Sequence, residues 1–108
     1  MTWDDAQALA LKLPGVEPGS YHGYPALRVQ GRFLVRLGDD PETLEFKGLE
    51  DAERELLTGA RPDVFFVPDR YRGTRMVLAR LATIDAETLR DLLRRRWEAV
   101  APRVLRTI

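Results

Sequence analysis

Helix-spaced apolar positions open the chain. Trp3, Ala6, Leu9, Ala10 and Leu13 recur at the spacing of one helix face, and Pro14-Gly15 ends the pattern. Thr2 can cap this helix, and Asp5, three residues later, can complete a capping box. The pattern therefore predicts a first helix that begins after Thr2.

Alternation with a period of two follows from Ala26 to Leu37, around a turn at Gly31-Arg32, and it predicts an antiparallel hairpin. One face of this hairpin is expected to be apolar, with Leu27, Val29, Phe33, Val35 and Leu37 buried. Arg28 and Arg36 are expected to share the opposite face. The preceding segment from Val16 to Tyr24 contains a proline and two glycines, which predicts a loop or an irregular edge strand.

The remaining elements are predicted in the same way. Thr43 to Lys47 is expected to be a third strand with Leu44 and Phe46 inward, after a turn at Gly38 to Pro41. A short helix is expected from Leu49 to Thr58, followed by Gly59. Its inward face would carry Leu49, Ala52, Leu56 and Leu57. Two further strands are expected at Val64 to Val67 and Met76 to Leu81.

A long helix capped by Asp85 is expected to close the domain. Its buried stripe would hold Leu89, Leu92, Leu93, Trp97, Val100 and Ala101. Its outward positions would include Arg90, and the run Arg94 to Arg96 is interpreted as a solvated face. Pro102 interrupts the helix, and residues 103–108 are expected to be a tail or a short further turn.

The order helix, three strands, helix, two strands, helix predicts an α+β fold. Short links make the sheet largely antiparallel, with the helices packed on one side. Residues 1–108 are expected to form one domain, since 108 residues can bury a single core.

Composition narrows the functional classes. The chain has no cysteine, which excludes disulfides, thiolate metal sites and cysteine nucleophiles. A signal peptide and an apolar run that could span a membrane are both absent from the sequence, so a cytoplasmic location is expected. The net charge is zero, but residues 1–68 carry 12 acids and 7 bases, whereas residues 69–108 carry 5 acids and 10 bases.

The basic second part begins with a distinctive stretch, PDRYRGTRMVLARL, from Pro68 to Leu81. Its first half has turn residues and predicts a basic loop that leads into a strand. The loop contains Arg70, Tyr71, Arg72, Gly73 and Arg75, with Asp69 as its one acid. Arginine is suited to bidentate contacts with phosphate and carboxylate groups.

Catalytic chemistry is not indicated. Ser20 and His22 are the only serine and the only histidine, and two residues do not supply a nucleophile, a base and an orienting group. Spacings typical of metal, nucleotide or flavin sites are missing as well. We therefore expect no catalytic residues, no metal, no cofactor and no enzymatic activity.

Several short motifs occur in a characteristic order. They are Leu13-Pro14-Gly15-Val16, Tyr24-Pro25-Ala26 before a strand, Gly31 in the hairpin, Phe66-Val67-Pro68, Tyr71-Arg72-Gly73, Trp97 and Ala101-Pro102. In this order and spacing the chain resembles the MmcQ/YjbR family over nearly its whole length. The resemblance implies a CyaY-like fold and DNA binding of the kind described as double-wing. Met76 and Val77 stand where relatives often carry a tryptophan, so a contribution from that ring is not expected here.

Three functional hypotheses follow. The first is weak, non-specific binding of double-stranded DNA through the loop residues Arg70, Tyr71, Arg72, Gly73 and Arg75, with additional contacts from Arg28, Arg36, His22 and Tyr24. The second is a small-molecule or protein partner at the same loop, with His22 and the tyrosines lining a cleft. The third, an enzyme, has the least support. Neutral net charge argues against strong nucleic-acid binding, whose usual footprint is a basic domain.

Overall fold

The computed structural model describes residues 1–106 and has the expected α+β architecture. Its elements are α1 (Trp3–Ala10), β1 (Val16–Tyr21), β2 (Tyr24–Val29), β3 (Arg32–Leu37), β4 (Thr43–Phe46), α2 (Asp51–Ala60), β5 (Phe65–Phe66), β6 (Val77–Arg80), α3 (Ala86–Val100) and α4 (Arg103–Arg106). The strands form one six-stranded sheet in the order β1-β2-β3-β4-β6-β5, and every neighbouring pair is antiparallel.

Two tight hairpins join the first three strands. His22-Gly23 connects β1 to β2, and Gln30-Gly31 connects β2 to β3. All four of these residues have positive φ angles between 50° and 84°, as two-residue turns of the I′ type require. Val16–Tyr21 is thus an edge strand with regular pairing to β2, so the expectation of an edge strand is confirmed and only its expected irregularity was wrong.

A bulge in the second hairpin corrects the predicted alternation. Leu27 pairs with Val35, but Arg28 pairs with Phe33, so β3 has one extra residue between these two pairs. Phe33 consequently lies on the same face as Arg28 and not on the apolar face, while Leu34 is buried instead.

The helices cover one face of the sheet and form the core with it. Residues of α1 and α3 pack against Leu27, Val29, Leu44, Phe46 and Ala79 of the strands. Trp97 of α3 is 8% exposed, and its indole Nε1 donates a hydrogen bond of 2.8 Å to the carbonyl oxygen of Pro14. The prediction that this tryptophan lies in the core is confirmed. Its hydrogen bond connects α3 to the segment that follows α1.

The predicted caps are confirmed. The Thr2 hydroxyl accepts a hydrogen bond from the Asp5 amide, and the Asp5 carboxylate accepts one from the Thr2 amide. Asp85 accepts a hydrogen bond from the Thr88 amide at the start of α3. Each cap satisfies amide groups that have no partner within the helix.

Two helix faces differ from the prediction. α2 runs through Gly59 to Ala60, with Leu57 buried but Ala52 exposed and Leu56 65% exposed. On α3, Arg96 is buried and its Nη2 lies close to Gly48, so the arginine run is not one solvated face. α4 forms the expected further turn, while residues 107 and 108 lie outside the described part of the chain. A search of residues 1–106 finds no helix with the length and apolar character needed to cross a membrane.

Candidate functional site

The sheet face opposite the helices is called the open face below. It brings together charged and aromatic side chains that are far apart in the sequence. Cross-strand pairing places one residue from each strand in a continuous row across it: Gly19, Ala26, Arg36, Glu45, Leu78 and Phe66. Helices cover the other face, so polar and aromatic side chains of this row are positioned toward the uncovered side of the sheet.

An ion pair lies at the centre of the open face. Arg36 Nη2 is 2.5 Å from Glu45 Oε2, and the residues are only 7% and 1% exposed. Arg36 also donates to the Leu37 carbonyl oxygen and to Asp39 Oδ1, whereas the two carboxylate oxygens of Glu45 receive no well-directed hydrogen bond. Arg36 was predicted as an exposed contact residue. It shares a face with Arg28 as expected, but it is buried and its charge is matched.

Tyr24 covers this pair from one side. The guanidinium carbon of Arg36 is 4.4 Å from the centroid of the Tyr24 ring. Asp39, hydrogen-bonded to Tyr24, raises the pKa of the phenol, while the same hydrogen bond, together with Arg36, lowers the pKa of Asp39. Arg70 of the loop reaches the same carboxylate, with 3.8 Å between its Nη2 and Asp39 Oδ2. The loop thus meets the open face at Asp39.

A second group, called the Tyr21 cluster, joins cations to aromatic rings beside the first hairpin. Lys47 Nζ lies 4.3 Å from the centroid of the Tyr21 ring and 4.4 Å from that of Phe33. It also donates a hydrogen bond of 3.0 Å to the Tyr21 hydroxyl, which lowers the pKa of that phenol. The two rings are 4.9 Å apart and edge to face. Arg28 completes the cluster, 5.6 Å from the Tyr21 centroid.

The cations of the Tyr21 cluster are held by neutral groups. Arg28 donates to the carbonyl oxygens of Ser20 and Gly31, and Lys47 donates to the Tyr21 hydroxyl. Within residues 1–106, the ion pairs that form do not involve either of these two cations. Their positive charges therefore remain available to an anion.

The predicted loop is ordered, and its charges are matched. Asp69–Tyr71 forms a 3-10 turn, and the Thr74 hydroxyl donates to the Tyr71 carbonyl oxygen. Arg72 Nη2 lies 3.2 Å from Asp69 Oδ1, and Arg75 Nη1 lies 3.5 Å from Glu50 Oε1. With Arg70 beside Asp39, each of the three loop arginines has a carboxylate neighbour. The nearby carboxylate weakens the attraction of each of these arginines for an incoming phosphate.

The predicted site residues do not form one patch. Arg70 and Tyr24 meet at Asp39, next to the buried Arg36. Arg72 and Gly73 line a separate cleft against α2, of about 350 Å³, whose wall includes Asp51, Arg54, Glu55, Thr58 and Val67. That cleft has no tyrosine in its wall, so the expected Tyr- and His-lined cleft does not correspond to it. His22 is exposed at the tip of the first hairpin, with its ring 4.3 Å from that of Tyr21.

Sequence reasoning missed part of this surface. Lys47, Phe33, Phe66 and Arg80 all contribute to the open face, and the Arg80 guanidinium lies 4.1 Å from the centroid of the Phe66 ring. Strand parity could have placed Lys47, because it follows the buried Phe46 by one position. The bulge concealed Phe33, and the short two-residue β5 gave too little pattern to orient Phe66. Groups of three or more metal-ligating side chains do not occur within residues 1–106.

Comparison with known proteins identifies the fold. A crystal structure of Deinococcus radiodurans protein DR2400, which has a DUF419 domain, is similar over 98% of this chain and 86% of that one, with a TM-score of 0.74. The two sequences are 22% identical, so the likeness is one of fold. Neither a family model nor a curated protein matches the chain.

Proposed function

We propose that the domain is a non-enzymatic nucleic-acid-binding module that contacts phosphate groups through the open face of its sheet. The resemblance of the sequence to the MmcQ/YjbR family, whose members are described as DNA-binding, supports this assignment. The observation that carries it is the pair of cations Arg28 and Lys47, which have neutral partners and lie beside exposed parts of two aromatic rings. Phosphate contacts of this kind supply most non-specific affinity for nucleic acid.

The Arg-rich loop has a secondary role in this proposal. Arg72 and Arg75 lie beside Asp69 and Glu50, so repulsion from these carboxylates weakens the attraction of each arginine for a phosphate. Arg70 is different because it lies where the loop meets the open face, at the longest of these ion-pair distances. It can therefore extend the cationic surface of the Tyr21 cluster.

The expected affinity is modest. Arg28, Lys47 and Arg70, with Arg80 at the far edge, offer contacts to about three or four phosphates, and each contributes a slope of about −0.9 in a log–log plot of affinity against salt for duplex DNA. A dissociation constant of ~10⁻⁴–10⁻⁶ M at physiological salt is expected for such a surface. Neutral net charge fits this weak, local mode of binding.

Fluorescence anisotropy on a random-sequence duplex across a salt series tests the proposal. The variant Arg28→Gln with Lys47→Gln keeps two long side chains and removes two charges, so the slope should become shallower by about 1.8. Replacing Arg70, Arg72 and Arg75 by alanine should have a smaller effect for each charge removed. Arg90→Gln with Arg94→Gln is the matched control, because it removes two exposed charges from α3 and should leave the slope unchanged.

Two results would contradict the proposal. One is the absence of binding to duplex or single-stranded probes at about 100 µM protein in low salt, where non-specific affinity is strongest. The other is a salt slope that responds to the α3 control as strongly as to the open-face variant.

A further inference from the structure

We propose that the preferred ligand of the open face is single-stranded nucleic acid, with unpaired bases stacked on the Tyr21 cluster and adjoining phosphates bound by Arg28 and Lys47. This inference rests on the proposed function and specifies its substrate class. It starts from the arrangement of rings and cations and not from charge alone.

Two aromatic rings of the open face lie next to each other and are candidates for stacking with bases. Tyr21 and Phe33 are both partly exposed and lie 4.9 Å apart at an interplanar angle of 64°. Small residues, Gly19 and Ala26, occupy the row between them, so no large side chain of that row separates the rings. Bases of any identity stack on aromatic side chains, and such contacts dominate single-strand recognition.

The cations lie within reach of the phosphates that would flank a stacked base. Lys47 uses one of its three ammonium donors on Tyr21, which leaves two for a phosphate. Arg28 is fixed against the carbonyl oxygens of Ser20 and Gly31, so its guanidinium is held in place before a ligand arrives. A positively charged surface with interleaved rings is the arrangement that tracks a single-stranded backbone.

A duplex uses this surface poorly. Its base faces are occupied by neighbouring bases, so Tyr21 and Phe33 could contribute only if the helix were opened. The phosphates of a duplex could still reach Arg28 and Lys47. Single strands should therefore gain the stacking contribution, whereas duplexes should retain only the charge contribution.

The open face also differs from a protein-docking surface. The large aliphatic side chains that are exposed within residues 1–106 are Leu11, Leu56 and Val104, and all three belong to or adjoin helices. On the open face, Leu78 is buried, and the rings of Tyr24 and Phe66 have arginine side chains over them. A surface on which cations lie over aromatic rings suits a polyanion with flat bases better than it suits an apolar protein surface.

The open face is wide enough for several nucleotides. It crosses six strands, and five spacings of about 4.8 Å give a width of roughly 24 Å. Phe66 and Arg80 form a second ring–cation pair at the far edge, 4.1 Å apart. A strand that crosses the sheet from the Tyr21 cluster toward this pair would pass Tyr24 and Arg70.

Anisotropy with 5′-labelled dT12, rU12 and a 12-base-pair duplex tests the inference on the full chain. Both single strands should bind more tightly than the duplex at equal salt. Tyr21→Leu with Phe33→Leu keeps apolar bulk but removes the flat rings, and it should weaken single-strand binding by roughly 5- to 150-fold for each base that loses its stacking partner. The same variant should change duplex affinity little. Trp3→Leu is the matched control, because it removes a ring from α1 on the helical side of the sheet, and it should leave dT12 binding near the wild-type value.

Cross-linking provides a test that needs no variant. Ultraviolet irradiation of the wild-type protein with bromodeoxyuridine-substituted oligonucleotide should attach the base to peptides that contain Tyr21 or Phe33. Cross-links confined to residues 68–75, or duplex binding equal to dT12 binding, would overturn the single-strand inference while leaving nucleic-acid binding intact. Failure of all three probes to bind would instead overturn the proposed function itself.

Discussion

At the scale of single residues, the buried Arg36–Glu45 ion pair has the largest desolvation cost. Two charges have been removed from water, and their stability depends on the contact between them. The carboxylate is the more vulnerable partner, because Arg36 has further acceptors at Leu37 and Asp39 but Glu45 has no well-directed donor. Arg36 thus acts mainly as the neutralising group that lets Glu45 lie within the sheet.

Arg36→Ala should therefore destabilise the domain by about 3–5 kcal/mol, because it leaves a buried carboxylate without its partner. The double variant Arg36→Met with Glu45→Met removes both charges and keeps the side-chain volume, so it should recover most of that loss. Urea denaturation measures both. A cost below about 1 kcal/mol for the single variant would show that water reaches Glu45 in the folded state.

Residue patterns predicted the face of Arg36 but not its burial. Alternation along β3 places Arg36 opposite the core, whereas its exposure depends on Glu45 of another strand, which pairs with it only through the β3–β4 register. The parity of Phe33 was misjudged for a related reason. A single extra residue in β3 separates Phe33 from the alternation of Val35 and Leu37, so Phe33 points to the opposite side from the one predicted, and no residue in the sequence marks that bulge.

At the scale of elements, the starts of α1 and α3 follow local chemistry closely. Thr2, Asp5 and Asp85 form the caps that their sequence positions predict. The interior of α2 was harder to predict, since its two apolar faces could not be told apart from a ten-residue segment. β1 was predicted only as a loop or an irregular edge strand because Pro18 and Gly19 weaken a strand pattern, yet an edge strand tolerates both.

The cap of α3 should make the free energy of unfolding depend on pH in the acidic range. Hydrogen bonds from the Thr88 hydroxyl and amide, followed by one from Arg61, hold the pKa of Asp85 well below its usual range. A depressed pKa in the folded state means that the stabilisation is present above the unfolded-state pKa of about 3.9 and is lost as the pH falls below it.

Asp85→Asn should accordingly lower the urea midpoint near neutral pH, and its difference from wild type should shrink as the pH approaches about 2. Asp91→Asn removes a charge from the middle of the same helix without touching the cap, so it should shift the midpoint much less. If the difference in urea midpoint between Asp85→Asn and wild type stays constant from neutral to acidic pH, the charge of Asp85 contributes nothing to stability.

At the scale of the whole molecule, the fold separates two functions of the sheet. One face packs against the helices and supplies the core, while the other presents the ring and cation pairs. Sequence patterns predicted this layering and most of the elements, because both depend on local periodicity. The candidate site could not be assembled in the same way, since the Tyr21 cluster brings together residues from β1, β2 and β3 with Lys47, which follows β4.

Substitutions of Trp97 test how strongly α3 is held against the rest of the molecule. Its indole joins α3 to Pro14 across 83 residues of sequence, beside α1 in the core. Trp97→Ala should cost about 3–5 kcal/mol because it removes a large buried ring and leaves a cavity. Trp97→Phe keeps a ring but leaves the Pro14 carbonyl oxygen without its donor, so it should cost about 1–3 kcal/mol. Chemical denaturation followed by circular dichroism separates the two effects, and equal losses for both variants would assign the role of Trp97 to the hydrogen bond alone.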